Sequence, residues 1–454
     1  TIPYVSRVLG AENIGLFSYT YAVANYFVLF ANLGIKNYGS RTIAMVRNNK
    51  EELNRNFSEI LSIHIIFSII VIFVYLVLLF FFVEDNLVIF LIQSIYIFAA
   101  VFDINWFFFG IEKFKLTVGR NTLVKILSVF LVLVFVKTQT DLWIYALILA
   151  LSVFVGQSVV WFALKQYVSW RRPSWANMKQ HIRPLFVLFL PILALSLYKY
   201  MDKIMLGSIS SNVQVGFYEN AEKIINVPMS LIMAFGVVLM PRIANMVTSK
   251  DKGEVFKLID MSMEAVMLLA IAISFGLAGI SFVLAPIFFG YEFEECGILI
   301  MGLAVTVPFM AFANVIRTQY LIPYKEDKIF VVSLFLGAAV NLIVNIILIP
   351  YMAARGAVIG TIFAEIIVCI YQSYFVRKKI FIKKYLLNTI PPILIGIVMF
   401  VFVFQIGNVM NINIVTLILQ LVVGMFIYAV GVFLLMLKSR TRLMVLLRKF
   451  VVRY

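Results

Sequence analysis

LYKYMDKIMLG, residues 197–207, places Lys199, Asp202 and Lys203 inside a run from 184 to 209 that is otherwise apolar enough to cross a membrane. At helical spacing, positions i, i+3 and i+4 share one face, so the carboxylate projects beside both ammonium groups. A charge near the middle of a bilayer costs about 2.5–3.5 kcal/mol on insertion scales, so such residues face a protein interior or a wet cavity. The stretch therefore points to an all-α polytopic membrane protein with a charged central path, and it marks where that path opens toward the outside.

Composition agrees. Hydrophobic residues make up 63% of the 454, charged residues 13%, and the mean hydropathy is +1.02; a soluble globular chain is nearer roughly 45–50% apolar. Runs such as 60–83 and 391–404 meet or approach the roughly 20 residues a membrane helix needs, and the alternating ten-residue strands of a β-barrel are absent. The two cysteines form no disulfide framework. A net charge of +16 would suggest nucleic acid in a soluble protein; in a membrane protein its distribution among the loops decides its meaning.

Spans are expected at 13–34, 57–83, 87–110, 121–136, 142–164, 184–206, 217–241, 258–284, 298–322, 329–350, 356–376, 386–406 and 412–437. Of the 38 Lys and Arg residues, thirty fall in alternate connections and only Arg7, Lys137 and Arg355 in the opposite set. The basic side is then cytoplasmic, and with it the tail from Lys438 to Tyr454. Thirteen spans start the chain outside without a signal peptide, so a first span is expected to be truncated at Thr1, with fourteen in the intact chain.

An internal repeat supports this organisation. IGLFSYTYA begins at Ile14 and VGFYENA at Val215; Gly15 lies 26 residues before Arg41 in SRTIAMV, and Gly216 lies 26 residues before Arg242 in PRIANMV. Parallel repeats are one way transporters are built. The expected division is an N-terminal lobe over 1–167 (the truncated span 1 to span 6), a basic linker over 168–183, a C-terminal lobe over 184–384 (spans 7–12), and two further spans with the basic tail over 385–454. Two six-helix lobes would be related by a pseudo-two-fold axis.

YVSRVLGAENIGLFSY, SRTIA, the P…YKYMDKIMLG span leading into VGFYENAEKI, PRIA, and NLIVNIILIPYMAARGAVIGTIFAE extend from Thr1 to about Glu365. As a set, the chain resembles the Wzx-type polysaccharide-export flippases, in the MOP superfamily that also holds lipid II flippases and MATE-like multidrug extruders. The resemblance implies export of undecaprenyl-diphosphate-linked oligosaccharide units by alternating access of two lobes. It also implies a polysaccharide polymerase and glycosyltransferases as pathway partners. No enzymatic activity, cofactor, metal or nucleic-acid partner is expected. A multidrug cation antiporter and a lipid II-type flippase are the alternatives.

An anionic lipid diphosphate needs cationic donors in a shielded cleft. Arg7, Lys199 and Lys203 lie on the outer half, and Arg41, Arg242 and Arg317 toward the inner mouth. Snorkelling is the other reading of Arg41 and Arg242, and a structural ion pair that of Lys199, Asp202 and Lys203. Asp202, Glu365 in mid-span, and Asp103 are candidates for ion coupling, with a hydrogen-bonded helix interface as the alternative for Glu365. No GxxxxGK[ST] sequence provides for ATP. Asn25, Asn314, Asn341 and Asn345 could meet sugar hydroxyls, and Tyr21, Tyr198, Tyr218 and Trp106 sugar rings, although packing explains them equally. His64 reads as structural.

Overall fold

The computed structural model describes residues 1–248 and 252–438, and the regular structure of those residues is helical throughout. Hydrocarbon offers no partner to a backbone N–H or C=O, so a chain this apolar pairs those groups within each segment. Contacts divide the chain into two compact units, Thr1–Gly207 and Ser208–Tyr454. The expected tail from 439 onward, and the side chain of Tyr198, lie outside what is described.

The first unit contains α1 (Ile2–Asn32), α2 (Ile35–Val46), α3 (Lys50–Phe82), α4 (Leu87–Val101), α5 (Asn105–Gly110), α6 (Phe114–Phe135), α7 (Leu142–Leu164) and nearly all of α8 (Trp175–Ile209). Gly10, at φ 77° and ψ 173°, breaks α1 after its first turns in a conformation only glycine adopts cheaply. The Asn49 side chain caps α3 by accepting from Glu51 N (3.1 Å) and Glu52 N (3.3 Å), and both glutamates favour the positive end of the helix dipole. Gly34 (φ 72°) turns α1 into α2, and a side chain there would meet the α8 backbone at Leu185 O, 2.9 Å away. α8 stays close along α1: Phe189 packs on Phe30 with ring centroids 5.4 Å apart, the Tyr26 hydroxyl donates to Leu197 O (3.4 Å), and Gly207 sits against Tyr19. α8 begins nine residues before the expected span, because residues 175–183 continue its helix.

The second unit contains α9 (Asn212–Thr248), α10 (Lys252–Phe289), α11 (Cys296–Ala304), α12 (Thr306–Ile316), α13 (Asp327–Val376), α14 (Ile382–Val409) and α15 (Ile414–Lys438), with a π-helical turn at Arg317–Leu321 after α12. A straight α13 of 50 residues would measure roughly 75 Å at 1.5 Å per residue, far beyond the roughly 30 Å of hydrocarbon. It is a hairpin. Ala353 is non-helical (φ 48°, ψ −126°), a Cβ on Gly356 would stand 2.7 Å from the Leu348 carbonyl, Gly360 lies against Asn345, and Gln372 Nε2 donates to Ser333 Oγ (2.9 Å). Those pairs share one midpoint near residue 352, as antiparallel arms must. The break frees Ala354 N–H, which Gln214 Oε1 of α9 accepts at 3.2 Å.

Twelve helices among the described residues are long and apolar enough to cross a membrane; with the two arms of α13 taken separately they hold thirteen such segments. Burial is inverted relative to a soluble protein. Phe73, Phe80 and Phe82 of α3 and Leu123, Ile126 and Phe130 of α6 are exposed, whereas Ser58, Glu59, His64 and Ser68 of the same α3 are buried.

Gly356→Leu drives a side chain into the α13 backbone and is expected to destabilise the protein by about 1–3 kcal/mol or more, read by unfolding of the detergent-purified chain. Gly119→Ala, where a Cβ meets nothing within 4 Å, is expected to be neutral or to stabilise by up to about 1 kcal/mol.

Candidate functional site

Each unit carries its own polar group. On α8, Asp202 and Lys203 are buried at 4% and 7% exposure while Lys199, one turn earlier, is exposed with its ammonium 5.3 Å from the Tyr200 ring centroid. Tyr200 in turn packs edge-on against Tyr26 of α1 at 6.1 Å, and Tyr26 lies within electrostatic reach of Asp202. The apolar run that makes α8 a span thus brings two charges into the protein and presents a third at its surface. Such a face can offer the exposed Lys199 ammonium to an anion.

The other sequence-derived cations lie on other elements. Arg7 on α1, Arg41 on α2 and Arg242 on α9 are exposed. Arg317 opens the π-turn in the second unit, a distortion that often accompanies functional positions. Its Nη2 donates to Asn314 Oδ1 (2.6 Å), its guanidinium lies 5.3 Å from the Phe330 ring centroid, and it interacts electrostatically with Glu365, which is buried on the second arm of α13. Asn341 and Asn345 share the first arm, with Asn345 Nδ2 donating to Asn341 Oδ1 (3.2 Å). Gly236 of α9 lets Thr318 Oγ1 approach to 2.8 Å of its Cβ position. Tyr218 and Trp106, two of the candidate sugar platforms, are packed inside: Tyr218 hydrogen-bonds Thr361 (2.9 Å), and Trp106 stacks on Phe57 at 5.6 Å.

Asp103 is half-buried and accepts from Asn105 N (3.0 Å) and Nδ2 (2.7 Å) where α5 begins. Asn105 also donates to Gln157 (2.8 Å) and accepts from Arg120 (3.1 Å), so Asp103 is one end of a polar chain joining the start of α5 to α6 and α7. Sequence reasoning placed Arg120 among loop cations and missed this link. It also passed over Glu59, a buried carboxylate of α3, and read His181 as part of the basic linker; the two form a buried contact at 2.9 Å. The available signal was a carboxylate within the apolar NFSEILSIHIIF and a chain with only two histidines.

The second unit also holds a cavity of about 430 Å³ with an almost wholly apolar wall, including Met267 and Phe275 of α10, Phe309 of α12, and Leu386, Ile393 and Phe400 of α14.

Residues 1–247 match a family described as polysaccharide biosynthesis protein. A Shigella dysenteriae protein named "Putative O-antigen transporter" is 24% identical over 386 residues, which span 82% of this chain and 93% of that one. Among solved structures, the lipid II flippase MurJ in its inward closed conformation superposes with a TM-score of 0.73 at 16% identity, over 95% of each chain. An inward-facing MATE family multidrug transporter of the MOP superfamily gives 0.66 at 15% identity, over 83% of this chain and 92% of that one. At such identities the structural likeness is one of fold, and the all-α, MOP-like membrane architecture expected from the sequence is the one found.

Arg317→Met and Glu365→Gln, made singly and together, are expected to show a coupling energy of about 0.5–3 kcal/mol, the double variant losing less than the sum. Denaturant unfolding in detergent measures it, and additive losses would mean that the two charges act independently.

Proposed function

The chain belongs to the polysaccharide biosynthesis protein family, and from that premise we propose that it is a flippase for lipid-linked oligosaccharides. Its substrate in this reading is an undecaprenyl-diphosphate-linked repeat unit, moved across the bacterial cytoplasmic membrane by alternating access for capsule, O-antigen or exopolysaccharide synthesis. The protein would be multi-pass with its C-terminus in the cytoplasm. Glycosyltransferases of the same pathway would supply the substrate and a polymerase would consume it. No bond is made or broken, so the work is binding and release rather than catalysis.

The observation that carries the reading is the charged face of α8 in a protein whose exterior is apolar. A diphosphate is stable away from water only where fixed cations replace its hydration. Lys199 and Lys203 fill that role on one side, with Arg7, and Arg41, Arg242 and Arg317 serve as hand-over points on the other. The apolar cavity of the second unit suits a segment of isoprenoid chain, whose burial is worth about 0.8 kcal/mol per CH₂. Glu365, Asp202 and Asp103 are the candidates for carrying the coupling ion, because a carboxylate in a span changes its charge when it takes up a proton or a cation. The pair Lys199 and Lys203 on that face argues for an anionic cargo over the cationic drugs of an extruder.

The test is surface polysaccharide in a bacterial strain lacking its own flippase and supplied with this chain. Lys199→Ala and Lys203→Met, confirmed to reach the membrane in wild-type amount, are expected to lower export at least about tenfold, equivalent to about 1.4 kcal/mol, and Lys199→Arg to retain most of it. Unaltered export in both alanine and methionine variants would remove α8 from the site.

A further inference from the structure

The two histidines have opposite surroundings. His64 is fully buried and neither ring nitrogen has a hydrogen-bond partner among the described residues. His181, in the first turns of α8, uses both of its nitrogens: Nε2 is 2.9 Å from Glu59 Oε2 of α3, and Nδ1 is 2.6 Å from the Tyr38 hydroxyl of α2. Glu59 is 1% and His181 3% exposed. Ile35, Phe57, Ile60, Met178 and Leu185 belong to the apolar core that surrounds them.

Of the other titratable groups on the neighbouring elements, His64 and Tyr75 of α3 and Asp202 and Lys203 of α8 are buried further along the same helices. Lys36 and Arg41 of α2, Glu51 and Arg55 of α3, and Lys179 and Arg183 of α8 are exposed, and Glu52 is half-buried. In the connection between α7 and α8, Lys165, Arg171 and Arg172 are exposed and Tyr167 half-buried, and α5 carries no charge. That connection is held on α3 by contacts in which no histidine takes part. Ser169 N donates to Asn54 Oδ1 and Arg171 N to Ser58 Oγ, both at 2.9 Å, and Arg171 pairs with Glu51 at 2.8 Å.

This triad accommodates two protonation states without losing a hydrogen bond. A neutral ring with its proton on Nε2 donates to Glu59 and accepts from the Tyr38 hydroxyl at Nδ1. An imidazolium donates at both nitrogens, and the hydroxyl turns from donor to acceptor. What changes is one unit of charge inside an apolar wall, where electrostatic interactions are strong. We propose that His181, Glu59 and Tyr38 form a proton-binding site whose occupancy sets how firmly the start of α8 is held to α2 and α3. The use of that site rests on the flippase reading: α8 also carries Lys199 and Lys203, so a coupling through this helix between a proton bound at its start and an anion bound further along it would change both affinities by the same factor.

The test is hydrogen exchange of backbone amides 175–185 in the full chain in detergent, expressed as protection relative to the intrinsic rate and followed from about pH 5 to 8. Wild-type protection is expected to change at least about threefold across that range. His181→Gln is expected to be flat. Glu59→Gln, which keeps an acceptor in place and removes its charge, is expected to displace or abolish the change, and it decides the matter alone should His181→Gln not fold. A purely structural clamp would lower protection equally at every pH in the variants and leave its pH profile intact. That result, or a flat wild-type profile, overturns the proposal. No substrate enters this measurement, so its failure leaves the flippase reading standing, and loss of the flippase reading through unaltered export leaves the proton site standing.

Discussion

A polar atom facing hydrocarbon has nothing to bond to and costs several kcal/mol. That constraint reaches from backbone to side chains. It makes the chain helical, keeps its connections short, and turns Ser58, Glu59, His64, Asp202, Lys203, Asn345 and Glu365 inward while phenylalanines of α3 lie exposed. It also explains where irregular backbone is tolerated. The α13 turn at Ala353 stands because Gln214 takes the freed N–H of Ala354, and the π-turn at Arg317 lies among buried Thr318, Gln319 and Tyr320.

The same constraint gives α8 its place. Asp202 and Lys203 cannot face lipid, so the helix must bury part of one face, and the glycines at 34 and 207 let it come within backbone contact of the α1–α2 turn and of Tyr19. Tyr26 and Tyr200 then flank the charged stretch. Packing, electrostatics and the proposed handling of a diphosphate therefore concern one helix. A proton site at the start of that helix would connect the energy source with the cargo through a single element rather than a long chain of contacts.

Much of this was legible in the sequence because hydrocarbon writes its demands into composition. Long apolar runs and the fold class follow directly, and the two arms of α13 could be separated because Pro350 and Arg355 interrupt the run between them. The unequal burial of Lys199 and Lys203 was not legible, since helical spacing places them on one face and leaves their depth to the packing of α1. Nor was the π-turn, which has no compositional mark. His181 was hidden for a different reason: charge counting along loops cannot show which side chain turns inward, and its partner Glu59 lies 122 residues away. Asp103 was visible as a carboxylate near a span, but its ties to Asn105 and through it to Arg120 and Gln157 exist only in the folded unit.

The central claim is that fixed cations on α8 take a diphosphate out of water. The most direct measurement is translocation of a fluorescent undecaprenyl-diphosphate oligosaccharide by the full chain in proteoliposomes, with a competitor of the same lipid lacking phosphate. The account predicts translocation by the wild-type chain, none above protein-free vesicles for a Lys199→Ala, Lys203→Met double variant, and no inhibition by the phosphate-free lipid. Equal rates for wild type and double variant, or competition by the phosphate-free lipid as strong as by the unlabelled diphosphate, would contradict it.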